Sequence, residues 1–461
     1  MPTPSLLIVP ARFKTGKLYS QIPTSGAGDF TVTRNTAARR FDSAGLIESV
    51  ASGIPRLDYY TSGGTAGCPA LLVEPSAQNL ALQSQDFTTT WSPTNVTVSA
   101  NVTGTTDPFG TNLADLLTAT ASGSARVVQT FSFVSGTTYT YSCFAKAGNG
   151  FFGMTMENGG VASGVAVVWN VSTGAFSVSG SVGSGYTLQA HNIENYGNGW
   201  YRCSMRVLLG LTVTGNIRVN TSNGTMSSVV VQSDNGNNVN VFGAQIEAGS
   251  IATSYIPTTT GTGSRSADVV SVSGAVSGSI GQTEGTIYIE GVITNYADAA
   301  ASFITISDNT INNRLEIRKG SPGSISFERE SATQSASTSI SATGQVNGIF
   351  KMAVAYKSGD TAFFINGIQV ATTNAATFTM NTLTHIYLGS NASGTARRLN
   401  DRIRAAALYT TRLTNADLLL LTLPGNNTYL PQAVWDNYLS RPGNSEVPDC
   451  LYTRHADLLD V

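Results

Sequence analysis

Charge is scarce in this chain. Only 12% of its 461 residues are charged, about half the ~25% usual for soluble domains. The formal net charge is −2, and no Lys/Arg run exceeds two residues. A basic footprint for nucleic acid is therefore excluded. Long apolar runs are missing too. Residues 418–421 are typical, far short of the ~20 needed for a membrane-spanning helix, so no membrane insertion is expected. The start, MPTPSLLIVPARFK, has no charged segment before its apolar run, and prolines interrupt it. No signal peptide is expected. Cysteine is sparse: Cys68, Cys143, Cys203 and Cys450 show no C-x-x-C spacing, which gives neither a disulfide framework nor a zinc pattern. Cys143 and Cys203 lie in alternating stretches and read as small buried hydrophobes. The three histidines, His191, His385 and His455, fall in three separate segments. There is no G-x-S-x-G elbow between a strand and a helix, and no phosphate loop. The expectation is no catalytic residue, no metal and no cofactor, with ligand-binding residues unassigned.

Glycine, serine, threonine and asparagine fill the space that charge leaves. Between them run short alternating stretches, the signal of half-buried strands. From about residue 76 these are 95–100, 126–134, 137–145, 165–171, 175–178, 200–207, 217–221, 228–233 and 240–246. A second series is 285–293, 302–307, 315–318, 325–329, 350–356, 361–365, 368–371, 386–389 and 402–409. In 137–145, Tyr139, Tyr141 and Cys143 share one face. Asn366-Gly367 between two strands is a strong two-residue hairpin signal. Thr414 followed by Asp417 reads as the capping box of a short helix, with 418–421 as its body and Pro424-Gly425 as its end. The fold class predicted is all-β: two consecutive antiparallel sandwiches with an extended N-terminal docking region and a short C-terminal tail.

The hinge of that reading is residues 240–257, NVFGAQIEAGSIATSYIP. A strand starts at Val241 and meets Gly243-Ala244, where backbones approach closely. It carries polar Gln245, Glu247 and Ser250, and is stopped by Pro257, which has no N–H for a ladder. Residues 258–264, TTTGTGS, then connect to a new module. Some forty residues upstream stands NGWYR, 198–202. This pair of segments resembles the carbohydrate-binding-module-like jelly roll found in bacteriophage fibre, spike and other virion proteins. The opening NLALQSQDF (79–87) with Trp91, the leader RNTAARRFDSAGLIE (34–48), PRLDY (55–59), CPALLVE (68–74) and the bridge SRSAD (264–268) resemble the same family. Residues 350–370, 386–390 and 402–418 resemble a concanavalin- or laminin-G-like lectin sandwich. Asn400-Asp401 depart from that pattern, where a glycine is usual.

The domains expected are 1–75, an attachment or oligomerisation region (or an extended cap on the jelly roll); 76–260, the jelly roll; 265–424, the lectin-like sandwich; and 425–461, a tail. That tail, with Trp435, Tyr438, Leu451, Tyr452 and Leu458, is too apolar to stay free. It is expected to fold back on its own or a neighbouring subunit. The resemblance implies a non-enzymatic virion protein, a head fibre, tail fibre or spike subunit. It would be assembled in the host cytoplasm, bound to other virion proteins through its N-terminal region, homotrimeric, and adhesive to cell-surface or environmental glycans. The alternatives are a purely architectural decoration protein and a glycan depolymerase.

Single residues are read the same way. Trp200, Tyr201 and Trp169 are possible sugar platforms, but a tryptophan in such a strand more often packs in the interior. His191 with Glu194 has no metal spacing and reads as a loop histidine. Glu328 and Glu330 on one strand put carboxylates ~6.5–7 Å apart, against the ~5–5.5 Å of retaining glycosidases. With Arg329 between them they read as a solvated edge that discourages strand pairing. Asp308-Asn309, Asp360, Asn391 and Asn400-Asp401 are loop groups of the calcium-binding kind, read here as turn formers.

Overall fold

The computed structural model describes residues 2–60, 69–160, 162–294, 300–320, 324–331, 334–343, 348–371, 379–424, 440–441 and 443–445, with backbone only for 334–343, 371 and 444–445. They form two β-sandwiches, so the all-β reading holds. The first sandwich is continuous in sequence. One six-stranded sheet runs in the order Ser92–Thr94, Ala125–Phe133, Val213–Ser222, Phe151–Glu157, Gly164–Asn170, Ala175–Val182. The facing sheet runs Val96–Ser99, Asp115–Ala119, Asn238–Ala248, Thr138–Ala147, Trp200–Leu209, Tyr186–Asn195. Every pairing is antiparallel, and alternation sorts the side chains. Tyr139, Tyr141, Cys143, Cys203, Met205 and Val207 all enter the core between the sheets. Cys143 and Cys203 lie directly opposite each other in register, free and buried. Burial pushes the Cys143 thiol up to about 12, so both stay protonated fillers rather than nucleophiles.

Strand Asn238–Ala248 explains the hinge segment. Ser142 pairs with Gln245 while Phe144 pairs with Phe242, so one extra residue bulges at Gly243-Ala244. Gly243 takes φ +64°, and a Cβ there would sit 2.9 Å from the Phe144 ring. Gln245 and Glu247 are buried, and they hold the returning chain. Glu247 accepts from Thr253 N (3.0 Å), and Gln245 Oε1 accepts from Ile256 N (2.7 Å). Asn79 fastens the same turn, donating to the carbonyls of Ala244 (3.0 Å) and Ile256 (2.8 Å).

The second sandwich is discontinuous, and here the expected organisation needs correction. One sheet contains Glu284–Ile293, Gly348–Lys357, Asp360–Ile365, Ile368–Ala371 and Asp401–Tyr409, but also Leu6–Ile8, Leu57–Asp58 and Ala70–Val73. Leu6–Ile8 and Ala70–Val73 both pair with Asp401–Tyr409. The opposite sheet contains Val269–Ser273, Ala301–Ser307, Arg314–Lys319, Ser324–Ser331, Gln334–Thr343 and His385–Leu388. It is extended by Phe30–Thr33, Lys17–Leu18, Arg12–Lys14 and Asn444–Ser445. Phe30, Val32, Leu71 and Val73 share a core with Ile287, Ile304, Val354 and Leu388. Residues before 75 are thus not a separate region. They lack enough apolar surface for a core of their own and complete one that the far end of the chain leaves open. The first sandwich is inserted between those strands on a two-stranded stem, Ala77–Asn79 against Gly263–Arg265.

Local signals hold where they were strong. Asn366 (φ 48°) and Gly367 (φ 80°) make the two-residue hairpin, with the positive φ at both positions that a type I′ turn requires. Helix Asn415–Thr422 begins at Thr414 with both halves of the capping box formed. It lies on the outer face of the sheet, where Ala353, Ala355, Ala362 and Ala407 are small enough for Leu418 and Leu421 to approach. Most of the tail, including Trp435, Tyr438, Leu451, Tyr452 and Leu458, lies outside the described residues, as do Cys68 and Cys450. The described piece folds back on its own chain: Asn444–Ser445 pairs with Arg12–Phe13, and Arg441 binds Asp29 over the Tyr19 ring.

Candidate binding cleft

Where the stem meets the second sandwich, five charged side chains are sealed from water. Arg56 binds Glu74 (2.5 Å) and Asp268; Arg265 binds Glu74; Arg34 binds Asp268 (3.0 Å). Ser254 N and Oγ both donate to Glu74 (2.6 Å each). Burial opposes the Glu74 charge, but Arg265 and Arg56 outweigh it and hold the carboxyl far below its usual range. Such a group is costly to break and is poor evidence of net stability. Its value here is geometric, because it ties the N-terminal strands, the stem and the return at Ser254 into one joint. Its residues come from the leader and bridge segments of the sequence resemblance.

Beside this joint opens a cleft of about 310 Å³. Its floor is the outer face of the sheet containing Trp200–Leu209. On that face Arg206 stands between Thr140 and Ala190, Ser204 between Ser142 and Asn192, and Arg202 between Phe144 and Glu194. One wall is the hairpin Ala38–Phe41 and Ile47–Val50, with Tyr60 after it. The other comes from the second sandwich, through Thr294, Asn400 and Arg402. Three aromatic rings, Phe41, Tyr60 and Tyr196, lie with centroids 4.9–5.5 Å apart. Phe41, which is buried, joins Ile47 and Tyr59 in covering Phe144, Trp200 and Phe242, with Tyr60 and Tyr196 packed against that cluster.

The polar groups are held in place. Arg202 donates to Thr253 O (2.7 Å) and Ser142 Oγ (3.0 Å), with its guanidinium over the Phe144 ring. Arg402 binds Asp58 (2.7 Å) and lies over Tyr60. Asp58 also accepts from the backbone N–H groups of Phe41 and Tyr60, 3.0 Å each. Glu194 accepts from Asn192 (2.8 Å). Burial raises its carboxyl above the ordinary range against the opposing pull of Arg202 and Arg402. Fixed guanidiniums, an amide, hydroxyls and the half-buried Tyr60 and Tyr196 rings, with Phe41 buried behind them, are groups that grip a polar, partly apolar small molecule.

The residues singled out in the sequence fall mostly elsewhere. Trp200 is buried under the N-terminal hairpin, its Nε1 donating to Thr106 O (2.7 Å), and Trp169 is fully buried in the first core. Tyr201 is half-buried and packs on Gly174. His191 is not on a loop: it belongs to strand Tyr186–Asn195, at the cleft's rim, stacked 4.3 Å from Phe176. Glu328 and Glu330 are not a solvated edge either. Their strand lies inside the sheet, and Glu328 is held by Arg314 (3.0 Å), Arg318 and Arg397 (3.3 Å). Glu330 binds Arg314, and Glu316 binds Arg314 (2.9 Å) and Arg397 (2.6 Å). Burial acts to raise the Glu328 carboxyl, but Arg318 and Arg314 prevail and keep it low. Of the calcium-type groups, Asp360 binds Arg412 (2.9 Å) and Asn391 caps its own turn. Asp401 opens a strand and accepts from Thr294 N (2.7 Å). Among the described residues no cluster of three His, Cys, Asp or Glu side chains has metal-binding geometry.

No family model and no curated protein matches the chain in sequence. Solved structures match over about a third of it. One is the CBM40 module of the Ruminococcus gnavus IT-sialidase, 16% identical over 31% of this chain and 85% of that one, TM-score 0.28. Another is the NanB sialidase of Streptococcus pneumoniae, 14% identical over 35% and 27%, TM-score 0.29. A third is a heptameric SAP-like pentraxin of Limulus polyphemus, 12% identical over 30% and 68%, TM-score 0.23. The chain spans about a quarter of the sialidase's length.

Proposed function

We propose that the chain is a non-enzymatic, adhesive subunit of a bacteriophage particle, and that the cleft beside Arg206 is where it takes hold of a glycan. The observation that carries the adhesive reading is the combination of two part-exposed rings, Tyr60 and Tyr196, with fixed polar groups in one cleft. Ring faces suit sugar C–H surfaces, and the planar groups suit sugar hydroxyls. The virion assignment rests on the sequence resemblance, whose leader and bridge residues supply the buried joint. A homotrimer is the copy number that resemblance implies. The absence of catalysis is part of the same proposal. It is supported by the ion pairs that occupy both Glu328 and Glu330, which leaves no carboxyl free to act as acid or nucleophile there. Weak single sites displayed in several copies give useful avidity.

A glycan array probed with the full chain, displayed multivalently, tests this reading. Retention of a defined glycan class that is lost on Tyr60→Ala and Arg202→Gln is the expected result. Retention of none supports the architectural alternative, which the rigid joint also suits. Release of reducing ends from a polysaccharide would overturn the non-catalytic part.

A further inference from the structure

We infer that the cleft selects acidic saccharides, those bearing a carboxylate, and that Arg206 with Arg39 supplies the selecting charge. This rests on the adhesive reading of the same cleft and goes further by naming the ligand class.

The inference follows from which charges are already satisfied. Of the carboxylates lining the cleft, Asp58 is bound by Arg402 and two backbone N–H groups. Glu74 is bound by Arg56 and Arg265. Arg40 is paired with Glu48 (2.6 Å) and points away from Phe41's face of the hairpin. Arg202 is held by neutral oxygens. What remains is Arg39 and Arg206, neither with a carboxylate partner among the described residues, and Glu194. Arg39 and Phe41 are two apart on one strand and so project from the same face, toward the cleft; the Arg39 guanidinium lies over the Phe109 ring. Arg206 is half-buried in the floor, and its Nε, like that of Arg202 on the same strand, is buried with no protein hydrogen-bond partner among the described residues. A buried N–H left unpaired is costly, and a planar carboxylate is the group that satisfies a guanidinium at two points. Arg39, Arg202 and Arg206 thus line one cleft. Among the described residues its one carboxyl without an arginine ion pair is Glu194, whose nearby charges are Arg202 and Arg402, while Arg202 also feels the buried Glu247. In a chain of net charge −2 this is a local excess of positive charge. The Tyr60 and Tyr196 rings beside it favour an anion carried on a sugar ring over a bare inorganic one.

The test uses the full chain and two probes, an oligogalacturonate and the same oligosaccharide after reduction of its carboxyls to alcohols, followed by calorimetry or surface plasmon resonance. The acidic probe is expected to bind about tenfold or more tightly than its reduced form, the size of one charge-assisted hydrogen bond. That margin should shrink as salt rises. Arg206→Gln should erase the preference, and Arg206→Lys, which keeps the charge without the fork, should restore part of it at unchanged melting temperature. Equal binding of both probes would overturn the selection for acid and leave the glycan cleft standing. Binding of neither, by protein displayed at high density, would overturn the adhesive reading and this inference with it.

Discussion

The two sandwiches are built on opposite plans. The first closes from one continuous run, and its core residues lie between Ala81 and Ile246. The second draws Leu6, Phe30 and Val73 from one end of the chain to meet Ile287 and Leu388 near the other. The difference has a functional consequence. A continuous module could have been strung on a flexible connection, whereas an inserted one is held at two crossings, and the chain that makes them must pass beside it. The cleft forms along that passage, from the hairpin at Phe41, the sheet at Arg206 and the strand at Arg402, which are far apart in sequence. A single module would not contain it.

The strongest way to break this comparison is to remove the N-terminal strands. A chain that starts at Ser76 is expected to lose the second sandwich altogether, leaving a protease-resistant fragment limited to the first. Two intact domains after proteolysis would show the added strands to be dispensable. Next comes the joint. Arg56→Ala leaves Glu74 and Asp268 short of a partner in a sealed site and should cost about 3–5 kcal/mol. Calorimetry should then show the two sandwiches melting apart rather than together. A smaller effect separates them by pH. Burial raises the Asp401 carboxyl to about 6, above its unfolded value, so the folded form binds the proton more tightly. Stability should fall as pH rises from about 4 to about 6, by roughly 2–3 kcal/mol. The share of the slope due to Asp401, measured as the difference from Asp401→Asn, should appear in the transition of the second sandwich and not in that of the first. The smallest effect is at the helix: Thr414→Ala removes the capping box and should cost about 1 kcal/mol in that same transition.

What the sequence revealed follows the same division. Strands were legible where alternation was local, as in Thr138–Ala147 and Glu284–Ile293. Asn366-Gly367 and Thr414 with Asp417 are signals complete within four residues. Strands Phe151–Glu157 and Tyr186–Asn195 were missed. The first is buried after Phe151 and reads as a mixed run; the second is edge-exposed and polar. The pairing of Leu6–Ile8 with Asp401–Tyr409 leaves no local trace, because a strand's partner is set by a core about four hundred residues away. Glu328 and Glu330 misled for a related reason. On one strand they look solvated, and only the neighbouring strands bring Arg314 and Arg318 to them. Of the cleft, Glu194, Arg202, Arg206 and Phe41 stood in segments already noticed and Tyr60 just beyond one, but nothing marked Arg206, Phe41 or Tyr60 as binding residues, since it is their juxtaposition that makes them a site.

The most direct test of a cleft shared among three distant segments is hydrogen–deuterium exchange of the full chain, with and without a saturating oligogalacturonate. The expected result is slower exchange in 38–41, 190–206 and 400–404 together, with the rest unchanged. Protection confined to one sandwich, or lying away from these three segments, would contradict it.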